Sequence, residues 1–378
     1  MDFGFTDEQA MLRESVARYL AKNHGFEARQ ATVRSGRPFS ADAWRAFAGL
    51  GLLTLPFPEA LGGLGGSVVD LVAVGEPFGE HLVVEPYVPS VLLAGRALAE
   101  AGEHPTARRW LDRIMAGDAL AAFAHEEDGG TAEPSRVAAR CAESGGGYRL
   151  DGEKRLVLGG ADADVLVVTA RVAGEPGQRA GLALLAVEPG TPGVRLAPFT
   201  TVDGRSAAHI AFDSVEIAAE NVLTTDAHRA IATTVDGAVI ALAAEAVGAM
   251  DALLRQTAGY AATREQFGVP IARFQAVGHR LADMKIACTK ARATLLYTAA
   301  LAEAGRAAPR DLAILKAQVG RLGRGVGEAA VQTHGGIGMT DELPIGHYLK
   351  RLLAIDAMFG QSDHHYRVVG AGAGTPTA

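Results

Sequence analysis

Apolar residues recur at helical spacing from the start of the chain. Thr6-Asp7-Glu8-Gln9 has the form of a capping box, the Thr6 hydroxyl and the Gln9 amide each meeting a free N–H at a helix start. Leu12, Val16, Tyr19 and Leu20 then share one face. Further helices are expected over 41–50, 68–80, 89–101 and 105–115, with a Pro/Gly loop at 55–66 between the first two of these. From about Ala119 the period changes. Val137 to Cys141, Tyr148 to Leu150, Arg155 to Leu158, Val165 to Thr169, Leu182 to Val187, Ala208 to Phe212 and Val215 to Ile217 are short apolar or alternating runs bounded by Gly, Pro or Asp. With Asp151-Gly152 and Pro192-Gly193 as turns, they predict an antiparallel β domain. After Thr225, alanine-rich helical runs over 227–262, 279–304, 309–333 and 344–358, joined by short loops, predict a four-helix bundle. The expected class is α+β multidomain: an N-terminal helical domain (1–118), a β domain (119–225), a C-terminal bundle (226–370) and a frayed tail (371–378).

Composition narrows the function. The chain has 378 residues, 48% of them hydrophobic, and a formal net charge of -7. That charge argues against a general nucleic-acid or anionic-membrane binder. Two distant cysteines, Cys141 and Cys288, suggest neither a disulfide framework nor a cysteine-based zinc site, and a reducing cytoplasmic setting is expected. The acidic first residues lack a signal-peptide pattern, and no membrane-spanning apolar run is expected.

Several segments carry candidate chemistry. Gly62 to Gly66 lacks the Lys-Ser/Thr of a P-loop and reads as a structural turn. Asp363-His364-His365, with His347 and Asp356 nearby, is a poor metal set, because consecutive helical side chains point about 100° apart. The strongest stretch is Arg264-Glu265-Gln266-Phe267-Gly268, followed by Phe274-Gln275. There Arg264 suits a phosphate, Gly268 permits close backbone approach, and Gln275 offers an amide at a helix start. A second glycine loop, Gln332-Thr333-His334-Gly335-Gly336-Ile337-Gly338, lies about one helix hairpin further on.

These two loops resemble the R-x-x-F-G…F-Q and Q-x-x-G-G-x-G segments of the acyl-CoA dehydrogenase family, and Pro58 to Gly65 resembles its P-E-x-x-G-G-x-G loop. The resemblance spans all three expected domains. It implies FAD as cofactor, with Arg264, Phe267, Gly268, Gln275, Gln332, Gly335 and Gly336 as binding residues. It also implies oxidation of an acyl-CoA to the 2,3-enoyl-CoA in fatty-acid-type metabolism, an electron-transfer flavoprotein or other acceptor, and an oligomer.

Where the family often carries its catalytic Glu, this chain has Phe359, and the family's second location for that base holds Ala238. The flavin-binding segments of the β domain are altered as well, to Ala122 to Gly130 and Arg155 to Gly160. In the family each FAD crosses a subunit interface. This chain keeps the half it would donate and has lost much of the half that would receive. The expectation is therefore the small subunit of a heteromeric acyl-CoA dehydrogenase, resembling the pimeloyl-CoA dehydrogenase small subunit and completing a shared site on a homologous large subunit. One rival is a self-sufficient homo-oligomer with Glu245 as relocated base, since desolvation among alanines would favour a general base there; Glu245 could instead pair with an arginine such as Arg264 or Arg280. Asp356 and Asp363 are weaker base candidates. A non-catalytic binding or scaffold protein on the same fold is the remaining reading.

Overall fold

The computed structural model describes residues 4–127 and 133–373. Helix α1 (Asp7–Asn23) starts at the expected capping box, with Gln9 N–H donating to Thr6 Oγ1 at 3.3 Å and Thr6 N–H to Gln9 Oε1 at 3.0 Å. A helix the patterning did not predict follows, α2 (Phe26–Arg34). Its buried positions are Arg29 and Gln30, so its inward face carries no apolar period. Helices α3 (Ala41–Gly49), α4 (Val68–Glu80) and α6 (Pro105–Ala116) fall where the pattern put them. The helix expected over 89–101 is instead a π-helix, Tyr87–Gly95, running into the short α5 (Arg96–Glu100).

The strands are β1 (Ala121–Ala124), β2 (Arg140–Ser144), β3 (Gly147–Leu158), β4 (Val165–Arg171), β5 (Leu182–Val187), β6 (Val194–Thr200), β7 (Ser206–Ile217) and β8 (Val222–Thr224). They form one sheet in the order β6-β7-β3-β2-β4-β5-β8, with β1 on β4. The sheet is antiparallel except at β1–β4 and a single β2–β4 bridge, which are parallel. Asp151-Gly152 is not a chain reversal but a bulge inside β3, where the register with β7 shifts. Gly152 has φ +142°, and a Cβ there would sit 2.8 Å from Ala139, so glycine lets the strand bend without ending. Ser214 does the same for β7 at φ +52°, its N–H held at 2.7 Å by the Asp151 carboxylate. One expected turn and one expected break between runs thus become bends within two long strands. The fully buried Arg171 donates to five carbonyls, those of Ser135, Val137, Ala173, Gln178 and Ala180.

The C-terminal helices are α7 (His228–Thr263), α8 (Gln275–Glu303), α9 (Pro309–His334) and α10 (Pro344–Ala357), the four expected. A further helix, α11 (Ser362–Ala373), packs on α9, so ordered helix continues past Val369; residues 374–378 lie outside the described residues. By length and composition α7 is long and apolar enough to pass for a membrane span, but it carries Asp236, Glu245 and Asp251, and 83% of its most apolar window is buried in protein. It is a core helix.

The chain forms two compact units: Met1–Ala31, Ser67–Val83 and Val239–Ala378 in one, Thr32–Gly66 and Val84–Ala238 in the other. In the first, α4 lies against α7 at backbone contact. A Cβ on Gly79 would fall 1.7 Å from the Glu245 carbonyl oxygen, one on Gly248 1.9 Å from the Glu76 carbonyl oxygen, and one on Gly75 2.8 Å from Ala244 Cβ. Beside this crossing the buried Glu76 carboxylate takes Arg292 of α8 and Arg13 of α1, each at 3.0 Å, and Arg292 also reaches Asp251 at 2.6 Å. Because the α4–α7 contact has no slack, Gly248→Ala should cost about 1–3 kcal/mol of stability, measured by denaturant unfolding of the purified protein.

Candidate functional site

The α7–α8 connection is built as an arm. Glu265–Gln266 (β9) and Val269–Pro270 (β10) pair as a two-residue-loop hairpin, Val269 opposite Gln266. Its turn residues, Phe267 and Gly268, both have positive φ, +54° and +79°, as a type I′ turn requires. The hairpin is anchored by Ile271 N–H donating to the Arg264 carbonyl at 2.8 Å. Phe267 is 94% exposed and meets Phe274 edge-on, ring centroids 6.1 Å apart.

The loop after α9 sits at the same end of the bundle. The Tyr260 and His334 rings stack at 4.4 Å, tying the last turn of α7 to the last residue of α9. The structure thereby brings together the two segments singled out in the sequence. Gly335 turns the chain at φ +69°, and a Cβ on Gly335 or Gly336 would meet nothing within 4 Å. Arg264, Gln275 and Gln332 are all exposed, and among the described residues none of their side chains has an ion pair or hydrogen bond. A phosphate donor, two amides and open glycine backbone thus share one bundle end with no internal partner, which suits the pyrophosphate and ribose of a dinucleotide.

The base candidates lie elsewhere in this unit. Glu245 is 4% exposed, and both its oxygens are taken by Arg351 of α10, at 2.7 and 2.5 Å. The partner is neither Arg264 nor Arg280, and an ion pair this closely fitted is a structural tie. Asp356 is spent on the α10–α11 turn, accepting from Ser362 N–H at 3.0 Å and Ser362 Oγ at 3.3 Å. Lys316 Nζ donates to the Ile355 and Asp356 carbonyls at 2.9 and 2.8 Å, closing the end of α10. Asp363 is exposed on α11. Phe359 is buried at φ +53°, its carbonyl 2.9 Å from His365 Nε2. The turn is therefore intact and its side chain apolar.

In the β-sheet unit the altered segments satisfy themselves. Lys154 is fully buried; its ammonium reaches Glu127 Oε1 at 2.7 Å, Thr169 Oγ1 at 3.0 Å and the His125 carbonyl at 3.2 Å. Glu127 also accepts from the Ala138 and Ala139 N–H groups, and His125 Nδ1 lies 3.1 Å from Thr169 Oγ1. Burial, with Lys154 nearby, holds the His125 ring neutral, its pKa pushed down to about 3. Leu156 and Leu158 follow, so no aromatic ring is offered here for stacking. The last part of the first segment, Asp128 to Gly130, lies outside the described residues. Gly62 to Gly66 forms a packed turn: the N–H groups of Gly63, Gly65 and Gly66 donate to the Pro58, Phe57 and Leu55 carbonyls, leaving none of these for a phosphate. Of the five non-glycine residues at positive φ among the described residues, three, Leu156, Phe267 and Phe359, fall in these candidate segments.

Family models for the N-terminal, middle and C-terminal domains of acyl-CoA dehydrogenase match residues 6–118, 122–215 and 215–374. The chain belongs to the acyl-CoA dehydrogenase family. It is 31% identical over 341 residues to acyl-CoA dehydrogenase FadE27 of Mycobacterium tuberculosis, covering 88% of each chain. It is 28% identical over 377 residues to an acryloyl-CoA reductase (NADH) of Anaerotignum propionicum, covering 98% of this chain and 95% of that one. A chain of the ChsE4-ChsE5 complex from Mycobacterium tuberculosis superposes with a TM-score of 0.90 at 29% identity, over 100% of both chains. The protein is thus a flavin oxidoreductase of the CH–CH class, and the cofactor it serves is FAD.

Two outcomes follow from the ion pairs. Glu245→Gln should cost about 3–5 kcal/mol of stability, since Arg351 would be left buried without its carboxylate; denaturant titration measures it. Burial pushes Lys316 down to about 8 from 10.5, so between those values the unfolded chain holds a proton the folded chain has released. Stability from this group therefore rises with pH from about 8 to 10.5, and Lys316→Met should flatten that slope in melts across pH.

Proposed function

We propose that this chain is the small, non-base subunit of a heteromeric acyl-CoA dehydrogenase. It completes a FAD site whose flavin end and catalytic carboxylate belong to a homologous large subunit, and the assembly converts an acyl-CoA thioester to the 2,3-enoyl-CoA. The single observation that carries this reading is the asymmetry of the two halves. The bundle end carries Arg264, Gln275, Gln332 and the Gly335-Gly336 backbone open and unpartnered among the described residues, while the base position is a buried phenylalanine.

The residues fit one end of FAD and not the other. Arg264 would pair with the pyrophosphate, Gln275 and Gln332 would hydrogen-bond the ribose or adenine, and Gly335-Gly336 would let the backbone approach. Phe267, presented at the tip of the arm, would supply the apolar contact. When bound, FAD accepts the β-hydrogen as hydride. The α-proton needs a carboxylate, and in this unit Glu245 and Asp356 are committed to Arg351 and to the Ser362 turn. The likeness of this chain to a chain of the ChsE4-ChsE5 complex supports a heteromer.

The test is to purify the chain alone and together with the product of a neighbouring homologous gene. The chain alone should hold little flavin and no dehydrogenase activity, and the pair should be yellow and active. Arg264→Ala should lower flavin occupancy of the pair by about tenfold, the loss of one charge-assisted contact. Full flavin occupancy and turnover by the isolated chain would overturn the proposal.

A further inference from the structure

The β-sheet unit holds a cavity of about 270 Å³ that the reading above does not use. It is lined on the β3, β7 and β6 strands by Glu153, Arg155, His209, Ala211, Arg195 and Ala197, among others. Register explains it. Glu153, Ala211 and Arg195 lie side by side across the three strands, and His209 pairs with Ala197 one step along the same face. Alanines at 197 and 211, set among arginine, glutamate and histidine, leave a depression with basic walls.

One of the donors is oriented by the backbone. The β3 bulge puts Leu156 at φ +50°, and its backbone N–H donates to His209 Nδ1 at 3.2 Å. A ring that accepts at Nδ1 carries its proton on Nε2, so His209 is fixed as an N–H donor at its far side. Phe199 lies against the ring, tilted by 32° with centroids 4.6 Å apart. Arg155 and Arg195 line the same cavity. Arg155 keeps Glu153 at 2.8 Å, while Arg195 meets Asp213 at 3.1 Å in a surface pair with both members more than 60% exposed, which binds weakly and yields to a stronger anion.

The structure assigns this cavity to a phosphate ester. Two arginines and one histidine, each from a different strand, line this one cavity, a donor set that suits a tetrahedral oxyanion better than a planar carboxylate. The phosphate could be carried by coenzyme A or by an adenine nucleotide, and the chemistry of the contact is the same. The assignment does not rest on the heteromer proposal, since every lining residue belongs to one unit of this chain.

Calorimetric titration of the full chain with inorganic pyrophosphate, CoA and ADP tests it, in the native protein and in Arg264→Ala to blank the bundle-end arm. Saturable pyrophosphate binding is expected in both. It should weaken about tenfold in Arg195→Ala, as one charge-assisted bond is lost, and vanish in Ala211→Leu, which fills the depression without changing charge. CoA binding tighter than ADP names coenzyme A as the carrier, and the reverse names an adenine nucleotide; either upholds the site. Where Ala211→Leu fails to fold, the exposed Arg195→Ala decides alone. Absence of saturable binding by all three ligands, or binding that Arg264→Ala abolishes while Arg195→Ala leaves it intact, overturns the assignment.

Discussion

The backbone contact between α4 and α7 is the constraint on which the helical unit depends. Glycines at 75, 79 and 248 bring the two helices closer than any side chain allows. Carbonyls of Glu76 and Glu245 lie in that contact, so two residues with carboxylates are drawn into a nearly dry interior. Such charges must be answered. Glu76 is answered from α1 by Arg13 and from α8 by Arg292; Glu245 is answered from α10 by Arg351. The close approach therefore dictates where three further helices stand, and with them the bundle end that carries Arg264 and Gln332.

The same constraint explains why an acidic residue well placed by sequence is drawn into a buried ion pair. Glu245 has the burial a general base needs, but its two oxygens are held by one guanidinium. At the turn where the family often carries its carboxylate, Phe359 sits at φ +53° and offers an apolar side chain. In the β-sheet unit Lys154, Glu127, His125 and Thr169 satisfy one another through hydrogen bonds.

Much of the fold was legible in sequence because its signals are local. The Thr6 capping box, the run from Val68 to Glu80 and the long alanine-rich helices sit where periodicity placed them. Helix α2 was hidden because Arg29 and Gln30 face inward, and the bulge at Gly152 reads as a turn because Asp-Gly serves both. The bundle-end loops were legible as motifs, but their union through Tyr260 and His334 joins residues of different helices. The partner of Glu245 lies 106 residues away, and nothing local marks Arg351 as its match. The depression over Ala197 and Ala211 is a product of strand register, which no single run of residues encodes.

The Tyr260–His334 stack and the two-residue turn at Phe267-Gly268 bear on the rate as well as the place of binding. A loop that must order on docking surrenders conformational entropy at that moment. Here the hairpin is already closed and the neighbouring glycine loop already tethered to it. A surface that received the arm would meet a hairpin already formed, so affinity gained there would be expressed as slow release.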